Sequence, residues 1–105
     1  MRVMPVVKNL TDPEMEQFHT YLAAKLERLK PVLESHYPDE DAVKVDARIR
    51  KHERHSAFEL ELVFNMPHGK FHSKETKHTI TEVLDITTDR LETQMTKHFK
   101  KLTRE

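Results

Sequence analysis

The chain has 105 residues, with 18 Lys/Arg against 18 Asp/Glu, eight His, one Gly and no Cys or Trp. That length fits one domain over residues 1–105, and 26 Leu, Ile, Val and Phe with zero formal charge argue against disorder. The missing cysteine excludes a disulfide scaffold, a thiolate zinc site and a cysteine nucleophile. The single glycine excludes Gly-rich phosphate loops, and no apolar run approaches the roughly 20 residues of a membrane span.

The start, Met1 to Leu10, has one Arg and a short apolar patch, too short for a secretory signal. The expectation is a soluble, cytoplasmic protein. Val3 to Val7 carries Pro5 and reads as an edge strand, or one interrupted at Pro5, because proline lacks the N–H of a central ladder. Thr11-Asp12-Pro13-Glu14 reads as a helix start, with Thr11 as cap, Glu14 as its capping-box partner and Pro13 in the first turn. Met15, Phe18, Leu22, Leu26 and Leu29 then form an apolar stripe at helical spacing. Pro31 predicts an end or kink near Lys30. Residues 34–41 read as a polar connector.

The period then changes to two. Val43, Val45, Ala47 and Ile49 alternate with charged residues, as do Phe58, Leu60, Leu62 and Phe64 with Glu59, Glu61 and Val63. Two half-buried antiparallel strands follow, joined by a connector over residues 51–56. Asn65 to Gly69 reads as a turn, with the glycine expected at a positive φ. A shorter strand is expected around Lys70 to Lys74. Thr79-Ile80-Thr81-Glu82 is a second capping box, opening a helix to about Leu102 with Ile80, Leu84, Leu91, Met95 and Leu102 buried. The order β-α-β-β-β-α, with two amphipathic helices and one half-apolar sheet, predicts an α+β two-layer sandwich.

The second helix carries the main chemical signal. At 100° per residue, Arg90, Lys97, Lys101 and Arg104 share a narrow stripe, with Lys100 beside it. Residues 42–78 carry eight Lys/Arg against five Asp/Glu, while residues 1–41 carry five against eight. The neutral total therefore hides segregation. Such a stripe suits nucleic-acid phosphates; it also suits a solvated helix whose cations favour the C-terminal dipole. His52, His55, His68 and His72 are conceivable metal ligands, but their spacing is not that of HExxH and no four converge. Unperturbed histidines titrate near pH 6.5, so affinity for an anionic partner is expected to rise as the pH falls toward 6. Asp39, Glu40 and Asp41 sit in the connector, and Ser35, Ser56 and Ser73 lack a nucleophile-elbow context. Neither a catalytic residue, a cofactor nor a small-molecule substrate is expected. Phe and Met at regular spacing read as core, with Phe99 and Tyr37 as candidate stacking residues.

Several segments together resemble the short ribosome hibernation-promoting factors and the related ribosome-associated inhibitor A. They are Asp12-Pro13 leading to Ala24-Lys25-Leu26-Glu27-Arg28, the turn Asn65-Met66-Pro67-His68-Gly69, and Asp89-Arg90-Leu91-Glu92-Thr93-Gln94-Met95-Thr96-Lys97. The resemblance implies a double-stranded-RNA-binding-domain-like fold, with two helices on one face of a four-stranded sheet. It implies binding to the small ribosomal subunit in the channel of mRNA and tRNA, contact with rRNA phosphates, a steric block of translation during stress, and no cofactor. Carried over residue by residue, Lys25 and Arg28 on the first helix and Arg90 and Lys97 on the second keep a cation. Thr79-Ile80-Thr81 replaces the family's Asp-Met-Tyr, and Thr93 replaces an arginine. The chain end at Glu105 is expected to leave no room for the extra dimerisation domain of long members. The expected rRNA-binding set is Lys25, Arg28, Arg90, Lys97, Lys100, Lys101 and Arg104. The alternative is a protein-interaction or weakly self-associating module on the same scaffold with RNA binding lost.

Overall fold

The two-residue alternation after Ala42 becomes β2 (Lys44–His52) and β3 (Ala57–Met66), paired antiparallel with Val45 opposite Phe64 and Ile49 opposite Leu60. In the computed structural model, residues 1–54, 56–67 and 69–103 are described, apart from the side chains of Glu40, Leu102 and Thr103. The expectations placed on His55, His68, Arg104 and the Leu102 side chain therefore lie outside the described residues. Lys51 and His52, expected in the connector, extend β2. The last strand, β4 (Gly69–Lys77), is longer than expected and pairs along β3 with Phe64 opposite Phe71. Gly69 opens it without a positive φ; among the described residues the left-handed positions are Asn9 at 63° and Ser56 at 44°. A β-carbon at Gly69 would meet Phe71 and His98 at 3.6–3.8 Å, ordinary contact. The turn therefore does not require glycine there.

The first strand, β1 (Arg2–Lys8), lies parallel to β2, giving the sheet order β1-β2-β3-β4. The Arg2 N–H donates to the Val43 carbonyl at 2.9 Å. In a parallel ladder, alternate residues face the partner strand. Met4, Val6 and Lys8 therefore follow Arg2, while Val3, Pro5 and Val7 direct their backbone polar groups to the open edge. Pro5 thus removes no ladder bond. It also interrupts the donor row that a strand from another chain would use.

Helix α1 (Asp12–Glu34) starts as its sequence predicts. Thr11 Oγ1 accepts from the Glu14 N–H at 3.3 Å, and the Thr11 N–H donates to Glu14 Oε1 at 2.9 Å. Of the end or kink expected at Pro31, the end does not occur: the helix runs through it to Glu34. Pro31 forfeits one intrahelical bond. The last turn persists because Leu29 and Leu33 on either side of Pro31 are buried in the core, with Val32 packed against it. The residues expected as a loose connector are also ordered: Asp39 Oδ1 accepts from the Asp41 N–H at 3.0 Å and caps a short 3-10 turn, Glu40–Ala42.

Helix α2 (Ile80–Thr103) is capped by Thr79 Oγ1, which accepts from the Glu82 N–H at 3.1 Å. The Glu82 carboxylate accepts from the Thr79 hydroxyl at 3.2 Å, so the box closes through side chains. Thr87 and Thr88, buried polar residues in the apolar face, donate to the Val83 and Leu84 carbonyls at 2.6 and 2.7 Å, which satisfies their hydroxyls.

Both helices cover one face of the sheet. Phe18, Leu22, Leu26, Leu29 and Leu33 of α1 and Ile80, Val83, Leu84, Leu91 and Met95 of α2 share a core with Val45, Ala47 and Ile49 of β2, Leu60, Leu62 and Phe64 of β3 and Phe71 of β4. Each fully buried large side chain stabilises by about 1.5–3 kcal/mol. Met15 is only half-buried. Phe99 is buried and stacks on His36, ring centroids 3.9 Å apart, and Tyr37 packs against the same cluster. Both belong to the core edge rather than to an exposed base-stacking platform.

Candidate nucleic-acid interface

The cations expected to bind rRNA separate by their surroundings. Lys25 Nζ lies 2.6 Å from Asp85 Oδ1, which also accepts from the Tyr21 hydroxyl at 3.1 Å. Asp85 is held below the usual carboxylate range, first by the Lys25 hydrogen bond and then, against partial burial, by Tyr21. Arg28 spans Asp89 at 3.3 Å and Glu92 at 3.5 Å. Arg90 pairs with Glu75 of β4 at 2.9 Å. These pairs clamp α1 to α2, and α2 to the sheet. Lys97 and Lys101 carry no ion pair among the described residues and are exposed. Lys100 lies beside them on the exposed surface; Arg104 is outside the described residues.

The opposite face of the sheet bears no helix. The registers bring its side chains into cross-strand rows: Arg2, Lys44, Asn65 and Lys70; Met4, Asp46, Val63 and His72; Val6, Arg48, Glu61 and Lys74; Lys8, Arg50, Glu59 and Thr76. Seven Lys/Arg stand here against three Asp/Glu, an excess of four. The helices are the opposite: α1 has three Lys/Arg against five Asp/Glu, and α2 has four of each. Glu59 gathers Lys74 and Arg50 at 3.0 Å and His52 at 2.9 Å. Its pKa falls from 4.5 to about 2, chiefly through the Lys74 hydrogen bond, against the cost of burial, with Arg50 adding to the fall. Glu61 meets His72 at 2.8 Å and Arg48 at 3.6 Å. Val6, Lys8, Arg48, Arg50, Glu59 and Lys74 are among the residues lining a shallow groove of about 310 Å³.

Sequence reasoning missed this face. The signal was present in β2, where Lys44, Arg48 and Arg50 form the polar half of the alternation. What periodicity does not give is the strand order that sets Arg2 and Lys8 beside them. Among the described residues, no group of three or more His, Cys, Asp or Glu could hold a metal ion. His52 and His72 sit on separate strands, each against its own glutamate.

The family model for the sigma 54 modulation protein / S30EA ribosomal protein matches residues 14–103. The chain belongs to this family. Its members are non-enzymatic modulation proteins, and this chain is not an enzyme. The fold agrees with the N-terminal domain of Protein Y from Thermus thermophilus, at 21% identity and a TM-score of 0.70 over 93% of this chain and 99% of that one. It agrees equally with a ribosomal subunit interface protein from Coxiella burnetii, at 14% identity and a TM-score of 0.71 over 95% and 99%. No curated protein matches the sequence. Among the described residues, no helix is long and apolar enough to cross a membrane.

Proposed function

We propose that this chain is a cytoplasmic ribosome hibernation factor: one domain over residues 1–105 that binds the small ribosomal subunit through rRNA phosphates and sterically blocks translation. The observation that carries the reading is the family match over residues 14–103. A sheet-and-helix body matching that of the ribosomal subunit interface protein from Coxiella burnetii adds support. The mechanism is occupancy, since a rigid two-layer body in the path of mRNA and tRNA needs no chemistry.

On the helix side, Lys97 and Lys101, with Lys100 and Arg104, supply the phosphate contacts of α2. Lys25, Arg28 and Arg90 act there only if phosphate displaces Asp85, Asp89, Glu92 or Glu75. Arg28 and Arg90 are more than half exposed, and exposed ion pairs are worth about 0.2–1 kcal/mol each, so a dense phosphate surface can make that exchange there; Lys25, 16% exposed, is the hardest of the three to release.

The test is competition on purified small subunits. The protein is expected to displace labelled mRNA and initiator tRNA in a concentration-dependent manner. Simultaneous binding of all three would refute the steric mechanism.

A further inference from the structure

We propose that the open face of the β-sheet is a second RNA-binding surface, gripping the phosphate backbone through Arg2, Lys44 and Lys70 at one end and Lys8 and Arg50 at the other. The inference rests on the reading of this protein as an RNA binder. It places the larger share of the binding charge on a face that the helix stripe does not include.

The first argument is the row Arg2, Lys44, Asn65 and Lys70. Arg2 lies directly beside Lys44, and Lys70 is opposite Asn65 one strand further on. None of the three cations has an ion-pair partner among the described residues, and all three are exposed. Like charges side by side in a sheet are destabilising. An anion laid across the row converts that repulsion into attraction.

Spacing gives the second argument. Lys8 and Arg50 lie six residues along the strands from Arg2 and Lys44, about 20 Å at the rise of a strand. Four strands make the face about 14 Å wide. The two cationic bands therefore stand at opposite ends of a helix-free surface, with the rows Met4-Asp46-Val63-His72 and Val6-Arg48-Glu61-Lys74 between them. Arg48, Arg50 and Lys74 are already half-neutralised by Glu59 and Glu61, so the terminal row carries the most available charge.

The chemistry of the face selects the partner. Apart from the histidine rings of His52 and His72, it has no aromatic side chain among the described residues. It therefore lacks the Trp and Tyr anchors typical of protein hot spots and the platforms on which bases stack. Exposed Lys and Arg in register are suited to sequence-independent phosphate contact.

The test uses a short RNA duplex and purified small subunits as probes, each titrated over a salt series. Wild type is compared with Lys44→Glu/Lys70→Glu, with the milder Lys44→Gln/Lys70→Gln, and with Lys97→Glu/Lys101→Glu; circular dichroism reports folding. Loss of two phosphate contacts should flatten the log–log salt dependence by about two and weaken duplex binding by about tenfold or more in the charge-reversed variant. The Gln pair should fall between it and wild type, and the Lys97/Lys101 variant should keep the sheet-dependent part. If both sheet variants bind the duplex and the subunit like wild type, the surface is overturned, even where the helix variant loses subunit binding. If wild type binds no RNA at low salt, the surface is likewise overturned and its charge answers to an acidic protein. If wild type binds the duplex through the sheet but not the subunit, the surface stands and the ribosomal reading fails.

Discussion

Replacing Glu59 with Gln should cost stability and improve RNA binding at once, a combination that few substitutions share. Glu59 is the hub of the open sheet face, accepting from Lys74, Arg50 and His52 within 3.0 Å. The drop of its pKa from 4.5 to about 2 converts by linkage to at most about 3 kcal/mol. Arg50 and Lys74 are themselves about half exposed, at 51% and 54%, so solvent screening reduces this to about 1–2 kcal/mol. For a domain of this size that is a fall in Tm of about 5–10 °C at neutral pH. The group is depressed in the folded state, so its contribution is complete above the unfolded pKa and disappears as the pH falls from about 4.5 to about 2. Thermal denaturation of wild type and variant across that range should show a gap at pH 5 that closes as the pH falls toward 2. The same variant raises the excess of positive charge on the face by one, so its affinity for duplex RNA at low salt should increase. A Tm gap that stays constant down to pH 2 would refute the electrostatic account of Glu59, as would equal stability at pH 7.

Three further outcomes follow from the backbone. Pro31→Ala restores the donor that α1 lacks in its last turn and should raise stability by about 1–3 kcal/mol, read by urea denaturation; destabilisation would show that the proline conformation is needed there. Gly69→Ala, at a position without a positive φ and with only ordinary contacts for a new β-carbon, should be neutral or stabilise by up to about 1 kcal/mol; a loss of more than that would contradict the geometry of the β3–β4 turn. Pro5→Val restores a donor on the open edge of β1, where Val3, Met4 and Val6 are exposed. Light scattering should then show concentration-dependent self-association that the native chain shows less.

The elements were largely legible because local rules and burial agree in this chain. Thr11 and Glu14 name the start of α1 and form the expected reciprocal cap. The alternation from Val43 to Phe64 lands on the buried face in register. The errors arise where tertiary packing outweighs local preference. Pro31 is a helix breaker by its own chemistry, yet Leu29 and Leu33 hold the turn around it. Gly69 suggests a left-handed residue, yet it takes no positive φ; among the described residues Asn9 and Ser56, in other loops, do.

The interface was less legible because charge on a helix does not reveal what faces it. The cations at Lys25, Arg28 and Arg90 read as free in the sequence. In the fold they meet Asp85, Asp89, Glu92 and Glu75, residues up to 64 positions away. The open sheet face depends on a parallel crossover that joins β1 to β2, which side-chain periodicity does not encode.

The measurement that tests the central claim most directly is co-sedimentation of the purified protein with separated ribosomal subunits at low and high salt. The account predicts that the protein pellets with the small subunit at low salt and is released as salt rises, since phosphate neutralisation dominates the contact. Absence from the small-subunit pellet at low salt would contradict it.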